Sequence, residues 1–202
     1  MDQNGLIISC GALEKPLQQA LNSMGNKNQV RYLDALLHLE PQLLGQKIKE
    51  EVAEAESRGK KTKLLFGKCA DDMDGLCKAL QVPYTQCENC YHMFLGKRYQ
   101  ELLSEEIGTY FLEPYLCDHF ERLVIKGLKL DQHPKLKQMM FQHYRRAIYI
   151  DYEGTGLTPA AHRVARYLEL PLHLETADSQ ELLRVLVKMR FSSDSRTLEP
   201  QA

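Results

Sequence analysis

The chain lacks most of the features that would place it in a special class. No run in its 202 residues approaches the ~18 consecutive apolar residues of a membrane-spanning helix, so the sequence predicts no span. The opening stretch, "MDQNGLIISCGALEKPL", has a short apolar run but no basic segment before it and no small-residue cleavage site after it, which argues against a secretory leader. Charge of one sign is not in excess: 26 Lys and Arg against 27 Asp and Glu leave a formal net charge of -1. A balance of that kind gives no electrostatic footprint for nucleic acid or for an anionic membrane. Solenoid repeats and low-complexity linkers are absent too. The expectation is a cytoplasmic globular protein with no nucleic-acid partner and no membrane partner. At 44% hydrophobic and 26% charged residues it can bury a sizeable core without disulfide support.

What the sequence does have is six cysteines, at positions 10, 69, 77, 87, 90 and 117. Cytosol keeps thiols reduced, so thiols or metal ligands are expected rather than a disulfide framework. Their placement follows from the alternation of elements. "GLIISCG" reads as a strand ending in Cys-Gly, followed by helical spacing in "ALEKPLQQALNSMG". Val30–Leu33 reads as a strand, "QLLGQKIKEEVAEAESRGKK" as a charged helix ended by Gly59, and "KTKLLFGKC" as a third strand closing at Cys69. "DDMDGLCKALQ" opens with carboxylates suited to a helix N-terminus. "VPYTQC" is a short extended piece, and helical spacing runs from Tyr91 to Glu105. The stretch 105–145 reads as mostly helical, broken near Gly127 to Pro134, and is where the chain would divide if it formed two lobes. "AIYIDY" and "LPLHLET" read as the last strands, each followed by a helix, and the tail over 191–202 is polar. The fold class expected is α/β: a mainly parallel sheet with helices on both faces, over a single domain 1–190. Function then belongs at the carboxyl ends of the strands.

On this reading Cys10, Cys69 and Cys87 each close a strand and Cys90 begins a helix, so four thiols face one sheet edge. Soft thiolates at that spacing suit zinc or an iron–sulfur cluster. Two other readings stay open. Free cysteine is among the most buried residue types and can be plain packing. Alternatively, Cys87-Glu-Asn-Cys90 ahead of a helix could be a redox dithiol, although no thioredoxin-like order surrounds it. His92 lies near enough in sequence to substitute as a ligand, and the other histidines are scattered. Cys117 and His119 stand at i and i+2, which puts them on different faces of a helix. Arg98 and Tyr99, further along the helix from the cysteines, are candidates for orienting an anionic ligand. A separate candidate is "IYIDYEGTGLTPAAHR": Gly154 and Gly156 free the backbone, Thr158 is placed to cap a helix and Pro159 to open it, as at a phosphate site. Glu175 falls where a dinucleotide fold would bind a ribose, but Pro159 stands in place of the third glycine. No general base stands out, so no reaction type is assigned.

Five segments in order, "LIISCGAL", "YLDALLHLEPQLL", "CENCYHMFLGKRYQ", "GTYFLEP" and "HYRRAIYID", resemble the family catalogued as domain of unknown function sixteen-thirty-eight, over about Leu6 to Val187. That family's pattern has a Cys-Gly after the first strand, a cysteine after the third, and a cysteine-containing stretch running into the segment matched here by Leu95-Gly96-Lys97-Arg98-Tyr99. Lys97 replaces the serine of that pattern, and "PYLCDHF" departs from it as well. The resemblance implies an anaerobic setting and a corrinoid protein or methyltransferase as partner, because genes of the family are often found beside corrinoid-dependent methyltransferases. Joined to the cysteines, it leads to the expectation of a cysteine-ligated metal protein linked to corrinoid or methyl-group metabolism, or else a non-catalytic module that binds a corrinoid protein.

Overall fold

The computed structural model describes residues 5–26, 28–177 and 179–191. The first half builds β1 (Gly5–Cys10), α1 (Glu14–Ser23), β2 (Gln29–Leu33), α2 (Pro41–Ser57), β3 (Lys61–Leu65) and α3 (Met73–Leu80). After it come α4 (Cys90–Leu95), α5 (Lys97–Glu105), β4 (Thr109–Leu112), α6 (Pro114–Asp118) and α7 (Pro134–Phe141). The chain then forms β5 (Arg146–Asp151), α8 (Pro159–Leu168), β6 (Leu172–Thr176) and α9 (Ser179–Phe191). The fold is α/β with parallel strands, as expected, but the strands form two three-stranded sheets, ordered β2-β1-β3 and β4-β5-β6.

Three apolar clusters explain how the sheets are covered. Ile7 and Leu65 of the first sheet and Phe111, Ile148 and Ile150 of the second turn toward one shared cluster with α1, α4, α5 and α9. The opposite face of the first sheet is packed by α2 and α3, and that of the second by α6, α7 and α8. Strands buried on both faces read as continuous apolar runs, which is why "LIIS" and "AIYI" are so clear in the sequence. Burying a leucine completely, as at Leu17, Leu44 or Leu112, contributes about 1.5–3 kcal/mol each.

The first sheet reverses direction at β1. The chain leaves β1 for α1 on the shared side and leaves β3 for α3 on the outer side, so the two departing loops diverge. Such a divergence is where open α/β sheets form a crevice, at the carboxyl ends of the strands. The second sheet has no such reversal, since α6, α7 and α8 all lie on its outer face.

Three further sequence expectations change. The segment 105–145, expected to be mostly helical, begins with β4: only four residues long, "TYFL" is followed at once by Glu-Pro and a helical pattern that hid it. "VPYTQC" forms no strand and contributes a single bridge, Leu64 with Tyr84. The helix expected from Tyr91 to Glu105 is two helices, because Gly96 takes φ 54° and ψ -128°, a conformation that needs glycine, and the Glu181 carboxylate occupies the space a side chain would fill. Residues 192–202 of the expected polar tail lie outside the described residues. No helix among the described residues is long and apolar enough to cross a membrane.

Candidate functional site

Cys10 is the last residue of β1, and its Sγ accepts from the Ala12 N–H at 3.4 Å, capping the short 3-10 turn that follows. Gly11 next to it is packed closely: a Cβ there would lie 3.1 Å from the Leu33 carbonyl and 3.7 Å from the Tyr115 hydroxyl. Tyr115 belongs to α6, so the edge of the second sheet reaches over the edge of the first at Cys10. Cys69 sits four residues past the end of β3, in the loop toward α3. That loop is held against the segment carrying the next cysteines by Gly67, where any Cβ would come within 2.6 Å of the Glu88 carbonyl, and by a bond from Lys68 N–H to that carbonyl at 2.9 Å. Cys90 is the first residue of α4, behind the Asn89 cap, whose side chain accepts from the His92 N–H at 3.0 Å.

The surroundings of each thiol set its proton affinity. Burial raises the Cys90 thiol far above its ordinary 9.0, and Glu113, Cys10 and Cys69 act on it as neighbouring like charges. Burial likewise pushes Cys10 up to about 12, with Cys69, Glu113 and Asp34 adding to the rise and the Ala12 N–H opposing it. Cys90 and Cys69 nevertheless keep partial contact with solvent. Deep protein surroundings with some solvent contact are what a narrow crevice provides.

Cys87 does not join this group. Its thiol is raised by burial, and the charges it senses are Lys188 and Glu181 of α9, with Cys90 not among them. It packs against the shared central cluster, as Cys90 does. In Cys87-Glu-Asn-Cys90 the two thiols border one cluster but sense different charges, and burial raises both. A dithiol oxidoreductase needs its attacking thiol lowered. Among the described residues, moreover, no three His, Cys, Asp or Glu side chains are placed to grip a metal ion.

Glu113 is the group that sequence reasoning missed. It follows β4, is only 3% exposed, and caps α6: Oε2 accepts from Tyr115 N–H at 2.7 Å and from the Tyr152 hydroxyl at 3.1 Å, and Oε1 accepts from Leu116 N–H at 2.6 Å. Burial nonetheless dominates and lifts its carboxyl from 4.5 to about 7, against the pull of those three donors. A carboxyl that changes charge near neutrality is suited to exchange protons. The available signal was a carboxylate between a strand and a proline-opened helix, which was visible only once "TYFL" was read as a strand.

The remaining candidates are engaged elsewhere. Arg98 is ion-paired with Glu105 at 2.7 Å and with Glu101 and Glu175, each at 3.3 Å, so its charge is already matched. The Tyr99 hydroxyl accepts from Asn89 Nδ2 at 2.7 Å, and its ring stacks on His92 at 5.4 Å and against Phe111 at 5.2 Å. His92 Nδ1 accepts from Glu88 N–H. The glycine loop is filled from within: Asp151, closing β5, accepts from the N–H groups of Glu153, Gly154 and Thr155 on Oδ1 and of Gly156 on Oδ2 at 2.7 Å. Burial works against that carboxylate, yet the four donors together bring it below its usual value. Thr158 caps α8 through the Ala161 N–H at 3.1 Å, as the sequence suggested. With those backbone donors spent on Asp151, the loop offers no phosphate cradle. Cys117 packs among the apolar residues of the second sheet, and His119 bonds to Tyr115 O and stacks on that ring.

Two ion pairs join the first half of the chain to the second. Arg122, in a π-helical turn at Glu121–Lys126, reaches Asp34 at the end of β2 at 3.1 Å, and Lys15 of α1 reaches Glu153 at 2.5 Å. The family model described as "Protein of unknown function (DUF1638)" matches residues 32–186. The chain belongs to that family. The matched span holds Cys69, Cys90, Glu113 and Tyr152 and begins after Cys10. No curated protein and no solved structure matches the chain.

Proposed function

We propose that this member of the family binds a soft metal centre, an iron–sulfur cluster or zinc, in the crevice where the carboxyl edges of the two sheets meet, with Cys10, Cys69 and Cys90 as its thiolate ligands. What supports the reading is convergence: Cys10, Cys69 and Glu113, from separate segments, all act electrostatically on Cys90 at a sheet switch point. Thiolate is a soft ligand, and three of them with one carboxylate is a donor set that zinc accepts. Buried thiols crowded by like charges resist losing protons unless a cation offsets them, so deprotonation and metal binding would occur together. Rotation of the cysteine side chains about Cα–Cβ is part of the proposal. Cys87 is outside the ligand set. A cytosolic setting, with a corrinoid protein or methyltransferase as partner, agrees with the family resemblance and with such a centre.

The test is metal content and visible absorption of protein purified under strict anoxia. Stoichiometric iron or zinc should be lost in Cys10→Ala, Cys69→Ala and Cys90→Ala and kept in Cys87→Ala. Metal-free wild-type protein would overturn the reading. A second reading is favoured by the spacing of the side chains, since among the described residues no three are placed to hold an ion: the chain would be a non-catalytic module for a corrinoid protein, its thiols incidental. Undiminished binding of such a partner by the cysteine variants would support it.

A further inference from the structure

Residues 114–130 form an arm of the second half, in which α6 runs on into the π-helical turn Glu121–Lys126. Gly127 N–H donates to Arg122 O at 3.0 Å and Leu130 N–H to Ile125 O at 2.7 Å, each across five residues. Such turns are rare, and they recur at functional sites. One side of the arm is anchored: Cys117, Phe120, Val124 and Leu130 are buried in the cluster on the outer face of the second sheet. The other side lies over the carboxyl edge of β1.

Four contacts define that second side. Tyr115 packs against the first-half cluster that holds Cys10, and its hydroxyl stands 3.7 Å from where a Cβ on Gly11 would lie. Leu123 packs against the same cluster. Arg122 is ion-paired with Asp34 at 3.1 Å and donates to the Tyr115 hydroxyl at 3.4 Å. Gly127 meets the turn Ala35–Leu39, where a Cβ on it would lie 2.7 Å from Leu39 Cδ1. Beneath this arm Cys10 is only 5% exposed. Among the described residues no backbone hydrogen bond joins the arm to the first half. Both partners of the ion pair are exposed, so it holds weakly. The arm is therefore fixed firmly to one half of the chain and lightly to the other.

We propose that the arm is a lid over Cys10: it stays with the second sheet and parts from the first half along the seam of Tyr115, Arg122, Leu123 and Gly127. Only when the seam parts does the thiol meet molecules from solvent. Weakening the seam raises the population of the open form and, with it, the reactivity of Cys10. Arg122 gives a test in which access and charge act in opposite directions. Taking away a nearby cation disfavours the thiolate, so Arg122→Gln slows the reaction unless it opens the lid. Asp34 is left in place because its charge acts on Cys10 directly. The lid does not depend on whether the thiols hold a metal.

The full chain, with chelator present, is treated at pH 7.5 with N-ethylmaleimide, an uncharged probe, and labelling of Cys10 and Cys77 is followed by peptide mass. Cys77 is the reference: it belongs to the same first-half cluster at 2% exposure, but faces a groove lined by Lys78, Val82 and Tyr84 with no residue of the arm. Arg122→Gln should speed labelling of Cys10 by about two- to fivefold and leave Cys77 unchanged. Leu123→Ala, which removes packing from the seam, should speed Cys10 by about tenfold relative to Cys77. A Cys10 rate that is unmoved or lowered in Arg122→Gln overturns the proposal. Cys77 rising in step with Cys10 would overturn it equally, since the opening would then be that of the whole fold and not of the arm.

Discussion

Replacing Glu113 by glutamine isolates the most perturbed carboxyl at the site. In the native protein its pKa is raised to about 7, chiefly by burial, against 4.5 for an ordinary glutamate. Below about pH 4.5 the group is protonated both folded and unfolded and costs nothing. Between 4.5 and 7 the unfolded chain ionises while the native state holds its proton, so unfolding releases a proton and native stability falls as pH rises. Above about 7 the loss is complete. At about 1.36 kcal/mol for each tenfold in proton affinity, the loss across the window is about 3 kcal/mol. Glutamine cannot ionise, and it gives up part of the α6 cap at every pH, for about 1 kcal/mol. Urea unfolding of the two proteins at pH 5 and pH 8, with reductant and chelator present, measures the difference between them at each pH. That difference should shift by about 2.5 kcal/mol in favour of the glutamine variant at the higher pH, since part of the loss has already occurred at pH 5. The cap loss is common to both conditions and cancels. A difference independent of pH would refute the reasoning, since it would mean that Glu113 is solvated in the folded protein.

Three further outcomes follow from the geometry. Gly67→Ala would drive a methyl into the backbone of the loop that carries Cys87 and Cys90, so thermal unfolding should show a loss of about 1–3 kcal/mol and Cys90 should become more accessible to thiol reagents. Asp151→Ala strands four backbone donors and should cost about 3 kcal/mol by urea unfolding at pH 7, with Asp151→Asn recovering part of it. Because that carboxyl is lowered, its contribution is present above about pH 3.8 and is lost as pH falls further. In metal-free protein Cys90 should react with a disulfide reagent at pH 7.5 at least about tenfold more slowly than in the unfolded chain, since burial raises its thiol; equal rates would contradict the crevice.

The parts of the fold that repeat a local rule were legible. β1 and β5 announced themselves as apolar runs ended by turn residues, and α8 by Thr158 and Pro159, because these signals lie within a few residues of each other. β4 was hidden because four residues carry too little periodicity beside the helical text of α6. Two sheets instead of one could not be read, since strand order is decided by which faces α1, α4, α5 and α9 share. At the site, the sequence put Cys10, Cys69 and Cys90 at carboxyl edges; in the structure Cys10 and Cys69 act electrostatically on Cys90, while among the described residues no three such side chains are placed to hold a metal ion. Cys87 differs in the charges it senses, Lys188 and Glu181 of α9, and not the other cysteines. The glycine loop misled: Gly154 and Gly156 are in left-handed conformations, as a phosphate loop would use, but they wrap the protein's own Asp151 carboxylate.

The most direct test of the central claim is iron and zinc analysis, with a visible spectrum, on anoxically purified wild type, Cys90→Ala and Cys87→Ala. The account predicts a stoichiometric metal in the wild type, its loss in Cys90→Ala and its retention in Cys87→Ala. Metal-free wild type, or equal loss in both variants, would contradict it.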